Sequence, residues 1–229
     1  MKPPNFPENF AEFRRAQVGR TQAPIYAPIR FLSTPLSWRL TLGGVSPNAV
    51  TALGAALALG AAVAFATGHS PWMPLGGALI FASYICDCMD GEMARLKGSA
   101  SAFGGQLDQL TNWLTMVALQ TGLACGAYQS SRRPEFLLLG MLSIGGWCSF
   151  YYLYLQIASW TEASAEYYYL RRLSGTLLWV MPLDENVVLL TGLACQPQAG
   201  LIVSAAASLF LCFAVSALYI GYNLASPRR

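Results

Sequence analysis

The sequence predicts an all-α integral membrane protein with six transmembrane helices preceded by an interfacial amphipathic helix. Three observations support this fold class: 55% of the 229 residues are hydrophobic, only 11% are charged, and the mean hydropathy is +0.42. Soluble globular domains carry about 25% charged residues, so the composition excludes an ordinary soluble domain. Each apolar run reaches or approaches the roughly 20 residues that cross a bilayer as a helix.

Six apolar segments are predicted to span the membrane. They are Asn48 to Thr67, Met73 to Met93, Gly105 to Ala127, Phe136 to Ile157, Leu173 to Cys195 and Ala199 to Leu224. The fifth contains Pro182 and the acids Asp184 and Glu185 near its middle, where unpaired charge is costly. This helix is therefore expected to be broken or short.

Residues 1–42 are predicted to form a cytoplasmic N-terminal region ahead of the six-helix membrane domain, which takes in residues 43–229. Residues 1–23 are charged and lack periodicity, which predicts a loose arm. After Pro28, apolar residues recur at spacings of three and four: Ile29, Leu32, Leu36 and Leu40. This spacing predicts an amphipathic helix that lies in the membrane interface.

The placement of basic residues predicts the orientation. With the N-terminus in the cytoplasm, only Arg132 and Arg133 of the 14 Lys and Arg residues fall on the opposite side. The positive-inside rule then predicts a multi-pass protein of the cytoplasmic membrane with both termini in the cytoplasm. Basic residues gathered at one membrane face favour anionic lipid headgroups, and no feature indicates nucleic-acid binding.

Carboxylates interrupt the apolar sequence between residues 86 and 112. Asp87 and Asp90 share one face of a predicted helix, as do Asp108 and Asn112 on the next helix. The short connection from Leu96 to Phe103 predicts that these helices are antiparallel neighbours. Carboxylates at this density would repel one another unless cations lay among them. Hard oxygen ligands select Mg²⁺ or Mn²⁺, and a pair of such ions suits phosphoryl transfer.

Small residues accompany these acids. Gly91, Ala94 and Gly104 would let a nucleotide approach the backbone closely, because they carry little or no side chain. Arg95 lies at the cytoplasmic end of its predicted helix, where it either neutralises a phosphate or extends its charge to the interface.

A segment rich in aromatic and basic residues, TEASAEYYYLRRL, lies between the fourth and fifth predicted spans. It fits either an interfacial aromatic belt anchored by arginines or an anion pocket. In the second interpretation Arg171 and Arg172 bind a phosphate or carboxylate of the acceptor or of a lipid, since the planar guanidinium matches such groups.

The run Asp87-x-x-Asp90-Gly91-x-x-Ala94-Arg95, followed after eight residues by Gly104-x-x-x-Asp108-x-x-x-Asn112, resembles a known family signature. That signature is D-x-x-D-G-x-x-A-R-x8-G-x-x-x-D-x-x-x-D of the CDP-alcohol phosphotransferases, also called CDP-alcohol phosphatidyltransferases. Every fixed position matches except the last. The six-helix count, the amphipathic helix and the Pro-Asn pair that opens the first span extend the resemblance over most of the chain.

The resemblance implies a homodimer in which each monomer binds a CDP-alcohol in a polar cavity open to the cytoplasm. It implies two divalent metal ions, with the following ligands: Asp87, Asp90, Asp108 and Asn112. It implies a nucleotide site with the following lining: Asn48, Asp87, Gly91, Ala94, Arg95 and Gly104. The implied reaction, in phospholipid synthesis, transfers a substituted phosphate from the CDP-alcohol, above all CDP-diacylglycerol, to an acceptor hydroxyl and releases CMP.

Asn112 stands where the family has an aspartate that is the proposed general base and a metal ligand. A neutral amide can offer its oxygen to a metal ion, but it cannot accept the acceptor's proton. Either this chain is an impaired catalyst, or the base lies elsewhere, with Asp108 as the nearest remaining acid.

Two other protein classes stay open. The first is a non-catalytic membrane protein that binds a CDP-lipid and metal through the retained residues. The second is a transporter, which would use intramembrane acids at several depths of the bundle as an ion path. Apart from Asp184 and Glu185, the acids cluster near one end of the predicted bundle, which favours the enzyme. CDP-choline and CDP-ethanolamine are alternative donors, and inositol phosphate, glycerol phosphate and serine are candidate acceptors.

Overall fold

A computed structural model describes residues 7–18, 26–163, 191–192 and 194–225. Its helices are α1 (Phe10–Val18), α2 (Tyr26–Leu42), α3 (Pro47–Ala66), α4 (Trp72–Leu96), α5 (Ala102–Ser131), α6 (Glu135–Ala163) and α7 (Pro197–Ala225). Within these ranges the regular structure is helical throughout, with no strand. The all-α class predicted from the sequence is confirmed for this part of the chain.

Four segments are long and apolar enough to cross a membrane. They are Pro47–Ala66, Trp72–Leu96, Glu135–Leu153 and Pro197–Gly221, which correspond to the first, second, fourth and sixth predicted spans. The predicted third span lies in α5, whose 30 residues extend about 45 Å but are less apolar than these four. Nearly all of the predicted fifth span, with Pro182, Asp184 and Glu185, lies outside the described residues. The count of six spans therefore stays a prediction.

The predicted amphipathic helix coincides with α2, and the structure shows which side of α2 is buried. Ser33 and Ser37 on its polar side are fully buried, whereas Phe31 is 68% exposed and Leu42 is 57% exposed. The polar side packs on α4, and the apolar side is exposed on the surface of the protein. This arrangement suits a helix in contact with lipid, although its interfacial position stays a prediction.

Small residues bring α5 close to α3, because glycines let helix backbones approach each other closely. A Cβ atom on Gly122 would collide with the carbonyl oxygen of Ala62, and one on Gly126 would collide with that of Phe65. Only glycine is compatible with backbones this close. The two helices therefore pack along the side of α5 that carries the Gly122-x-x-x-Gly126 pair.

The two acid-bearing helices face each other, as predicted, and meet through polar side chains, since the carboxyl group of Asp87 on α4 contacts Asp108 and Asn112 on α5. The close helix pairs are α3 with α4 and α3 with α5, rather than α4 with α5. After α4 ends, Gly98 adopts a φ of 62°, a left-handed conformation that favours glycine, and Ser101 caps α5 by accepting a hydrogen bond from the Gly104 nitrogen at 3.0 Å. Because α3 packs against both helices, α4 and α5 face each other across a cavity.

A buried polar cluster joins the three longest helices. Ser204 on α7 accepts hydrogen bonds from Gln120 Nε2 on α5 at 2.8 Å and from Trp147 Nε1 on α6 at 3.0 Å. Ser143 of α6 donates to Gln120 Oε1 at 3.1 Å. All four side chains are buried, so these bonds satisfy groups that would otherwise be costly in an apolar interior.

Candidate functional site

The larger of two cavities at the acid-bearing ends of α4 and α5 has a volume of about 470 Å³. The start of α3, the end of α4 and the start of α5 enclose it. Its lining contains five residues predicted to surround a nucleotide, namely Asn48, Gly91, Ala94, Arg95 and Gly104, and two of the predicted metal ligands, Asp90 and Asp108. The structure thus brings together residues as far apart in the chain as Asn48 and Asp108.

The smaller cavity has a volume of about 20 Å³, which suits a water molecule or an ion. Asp87, Asp90, Asp108 and Asn112 all line it. Since Asp90 and Asp108 line both cavities, the two spaces adjoin. All four predicted metal ligands therefore surround the smaller space, and Asp87 belongs to this space rather than to the wall of the larger one.

Thr51 holds Asp90 in place and was missed by the sequence analysis. Its Oγ1 donates a hydrogen bond to Asp90 Oδ2 at 2.5 Å, and Asp90 is buried. Thr51 lies on α3, one helical turn after Asn48, so both residues face the larger cavity, and Thr51 also lines the smaller one. The available signal was a lone hydroxyl residue in the first turns of an otherwise apolar span.

Asn112 lies between carboxylates of both helices. Its amide nitrogen Nδ2 donates to Asp108 Oδ1 at 3.3 Å, and the carboxyl group of Asp87 is in hydrogen-bonding contact with both Asn112 and Asp108. The amide therefore presents N–H groups to carboxylates. Its oxygen was expected to face a metal ion, so that role needs a rotation of the amide group.

The donor set of the smaller cavity fits a divalent cation by its chemistry. Its polar atoms come from carboxylates, hydroxyls and one amide, and hard oxygen ligands suit Mg²⁺ and Mn²⁺. Across the part of the chain that the structure describes, no three His, Cys, Asp or Glu side chains already have the mutual spacing of a metal cluster. Rotation of Asp87, Asp90 and Asp108 about their side-chain bonds would be needed to bring their oxygens to a common ion.

Arg95 lies beside the backbone of Gly91 at the edge of the larger cavity. A Cβ atom on Gly91 would be 3.2 Å from Arg95 Nη1, so the glycine leaves room for the guanidinium group. Arg95 is exposed and can reach an anion in the cavity. Its predicted role as a phosphate ligand is geometrically possible.

Three further charged residues differ in what the structure shows of them. Arg171 and Arg172 lie outside the described residues, and their role stays a prediction. Glu92, which the sequence analysis did not single out, is fully buried and bonded to α2. The feature of the sequence that could have identified Glu92 is an acid within an apolar helix, on a different side from Asp87 and Asp90.

The model of the CDP-alcohol phosphatidyltransferase family matches residues 44–164, more than half of the chain. The chain therefore belongs to this family, whose members use divalent metal ions, and it is a membrane protein.

Among curated relatives, the chain is similar to the phosphatidylinositol phosphate synthases of two bacteria. It is 34% identical to that of Mycobacteroides abscessus over 93 residues, which make up 40% of this chain and 41% of the relative. It is 28% identical to that of Mycolicibacterium smegmatis over 137 residues, or 59% of this chain and 56% of the relative. The matched segments thus span about half the length of these two relatives.

A solved structure shares the fold. The crystal structure of the Mycobacterium tuberculosis phosphatidylinositol phosphate synthase with CDP-DAG bound has a TM-score of 0.61 to this chain. The alignment covers 79% of this chain and 89% of that one, at 20% sequence identity. At this identity the likeness shows a common fold.

Proposed function

We propose that this chain acts in phospholipid synthesis, where it transfers a substituted phosphate group from a CDP-alcohol to an acceptor hydroxyl and releases CMP. CDP-diacylglycerol is the preferred candidate for the donor. The observation that carries this proposal is that the signature residues of α4 and α5 line two adjoining cavities. Membership of the family and the relatives named phosphatidylinositol phosphate synthase support it. Those names make a phosphorylated inositol the first acceptor to test.

The larger cavity would bind the donor. Gly91, Ala94 and Gly104 leave its walls without bulky side chains, so that a nucleotide can lie against the backbone. Arg95 would bind a phosphate of the donor through charge-assisted hydrogen bonds, and Asn48 would contribute polar contacts from the opposite wall.

The acceptor oxygen would form a bond to the phosphorus that carries the donor alcohol. The bond from this phosphorus to the bridging oxygen of CMP would break, and CMP would leave with the electron pair. Four residues would hold two divalent ions, Mg²⁺ or Mn²⁺: Asp87, Asp90, Asp108 and Asn112. Such ions, when bound, neutralise phosphate charge and stabilise the attacking and leaving oxygens.

The acceptor's proton needs a base, and Asn112 cannot serve as one. Asp108 would take this proton, because its carboxylate lies in both cavities. A carboxylate that also binds a cation is a weak proton acceptor, so we expect slow turnover. A non-catalytic protein that binds the donor and metal is the second candidate, and the amide at position 112 is the observation that favours it.

The assay that tests the proposal measures CMP release by the purified protein in lipid nanodiscs, with Mg²⁺ or Mn²⁺. CDP-diacylglycerol, CDP-choline and CDP-ethanolamine are each paired with inositol phosphate, glycerol phosphate and serine. CMP release that needs one acceptor and a metal ion, and that is lost in Asp90→Ala, supports the enzyme. Donor binding without CMP release, in both the natural chain and Asn112→Asp, supports the non-catalytic binding protein instead.

We further propose a homodimer in the cytoplasmic membrane, with both termini and the two cavities facing the cytoplasm. The distribution of Lys and Arg between the predicted sides supports this orientation. Labelling of an introduced cysteine near residue 100 by an impermeant maleimide in inverted vesicles, but not in right-side-out vesicles, tests it. The dimer is tested by the mass of the protein in nanodiscs.

A further inference from the structure

The carboxylate of Glu92 is held by α2. Its side chain is fully buried, and it lies about 200° around α4 from Asp90. Four side chains of α2 donate hydrogen bonds to it. They are Ser37 Oγ to Oε2 at 2.7 Å, Ser33 Oγ to Oε1 at 3.0 Å, Arg30 Nη1 to Oε1 at 3.2 Å and Thr34 Oγ1 to Oε1 at 3.4 Å. A buried carboxylate needs such partners, because burial of an unpaired charge is costly.

The side-chain hydrogen bonds from this face of α2 converge on one acceptor. Positions 30, 33, 34 and 37 share one helix face, and buried hydroxyls on that face need hydrogen-bond acceptors. The two oxygens of Glu92 supply them. Leu40 adds apolar packing against the cluster that contains Met89 and Met93 of α4, whereas Phe31 and Leu36 are exposed.

The chain runs from α2 directly into one wall of the larger cavity. Ser46, Pro47 and Asn48 form part of this wall, and the residue before them is held by the end of α4. Lys97 Nζ donates a hydrogen bond to the carbonyl oxygen of Val45 at 2.6 Å. Residues of α4 thus hold this part of the chain at two points. Glu92 binds α2, and Lys97 binds the turn between α2 and α3.

We propose that Glu92 is a positioning residue for the donor cavity. By holding α2 on α4, it sets the distance between the wall at Ser46 to Asn48 and the facing wall at Gly91 and Arg95. Glu92 acts through α2 and touches no substrate. This inference rests on the proposed function, because it takes the larger cavity as the site of the CDP-alcohol donor.

The test compares the natural chain with Glu92→Gln, which keeps the size of the side chain but loses the charge and one acceptor oxygen. The dissociation constant for CDP-diacylglycerol is measured in nanodiscs, together with the melting temperature. Alkylation of Cys88 followed by mass spectrometry reports on α2, because Cys88 lies one turn before Glu92 on the same side of α4. Glu135→Gln makes the same change at an exposed acid on α6 and is the control.

We expect Glu92→Gln to weaken donor binding roughly tenfold, as supporting residues of a site commonly do, and to speed the alkylation of Cys88. With an active acceptor, KM for the donor should rise while kcat changes less than about twofold. Ser37→Ala, which removes the shortest of the four bonds, should weaken donor binding by a smaller factor. Its effect should not add fully to that of Glu92→Gln, because both act on one contact.

Equal donor affinity in the natural chain, Glu92→Gln and Ser37→Ala would overturn the positioning role while the proposed function stands. A lower melting temperature with unchanged affinity would show a purely structural role and would overturn it too. If Glu92→Gln does not fold, Ser37→Ala alone decides the matter. Failure of the natural chain to bind any CDP-alcohol would overturn the proposed function itself.

Discussion

The side-chain amide of Asn112 donates a hydrogen bond to the carboxylate of Asp108, with Nδ2 3.3 Å from Oδ1. Asp87 contacts both residues from the facing helix. An N–H group between two carboxylates reduces their repulsion, which an aspartate at position 112 would increase. The amide therefore stabilises the arrangement of acids and removes a proton acceptor at the same time.

Replacement of Asn112 by Asp should restore a general base. Such a base commonly contributes about 10²- to 10⁴-fold in rate, so kcat should rise within that range while the affinity for the donor changes little. CMP release under single-turnover conditions measures this effect. Gln109→Glu adds the same charge at an exposed position one residue from Asp108 and should leave kcat unchanged. Equal turnover of the natural chain and Asn112→Asp would place the base elsewhere.

Divalent metal ions should stabilise the protein through Asp87, Asp90 and Asp108. At a Mn²⁺ concentration of about 100 times the dissociation constant, binding to the folded state contributes about 2.7 kcal/mol. The melting temperature in detergent should therefore rise with Mn²⁺ and stay nearly constant in Asp87→Ala. Glu135→Ala, at an exposed acid of α6, should respond like the natural chain. The same Mn²⁺ response in Asp87→Ala would contradict the predicted site.

Substitution of Thr51 by Val should weaken metal binding without a large change in shape. Valine cannot donate the hydrogen bond that Asp90 Oδ2 accepts, and partners of metal ligands commonly contribute 10- to 100-fold in affinity. Titration with Mn²⁺, followed by electron paramagnetic resonance, measures the change. Thr121→Val is the matched control, because Thr121 is exposed and donates only within α5, to the Val117 carbonyl oxygen. Equal Mn²⁺ affinities for both variants would argue against the role of Thr51.

Replacement of both Arg171 and Arg172 by Gln should weaken binding of an anionic acceptor. The prediction follows from their position next to the predicted cytoplasmic end of the fifth span and from the fit of guanidinium groups to phosphate. KM for the acceptor should rise severalfold, and the paired change of Arg132 and Arg133 to Gln, on the predicted opposite side, should not raise it. An unchanged KM and an unchanged dependence on anionic lipid would favour an aromatic belt with arginine anchors.

Substitution of Gly126 by Ala should destabilise the bundle. The new Cβ atom would collide with the carbonyl oxygen of Phe65 on α3, and overpacking of this kind commonly costs about 1–3 kcal/mol. A lower melting temperature and a loss of monodisperse protein in detergent are the expected results. Gly145→Ala is the control, because a Cβ atom there meets no atom within 4 Å. If Gly126→Ala and Gly145→Ala have the same melting temperature, the close approach of α3 and α5 is not required for stability.

The membrane class, the positions of α3, α4, α6 and α7, and the acids and small residues that line the cavities could be predicted from the sequence, whereas Thr51 could not. Hydropathy and helical period act over short stretches of chain, so these features can be read without knowledge of the fold. Asp87 and Asp90 share a helix face for the same local reason.

The identity of neighbouring helices and of the polar groups that meet between them depends on how the helices pack in three dimensions. The placement of α3 against both α4 and α5 depends on the fit of whole helix surfaces, and it opens the cavity that a simple antiparallel pair would have closed. Thr51 reaches Asp90 and Ser37 reaches Glu92 across 39 and 55 positions of the chain. No local period encodes such contacts, because they form only where two distant helices happen to present a donor and an acceptor at the same depth.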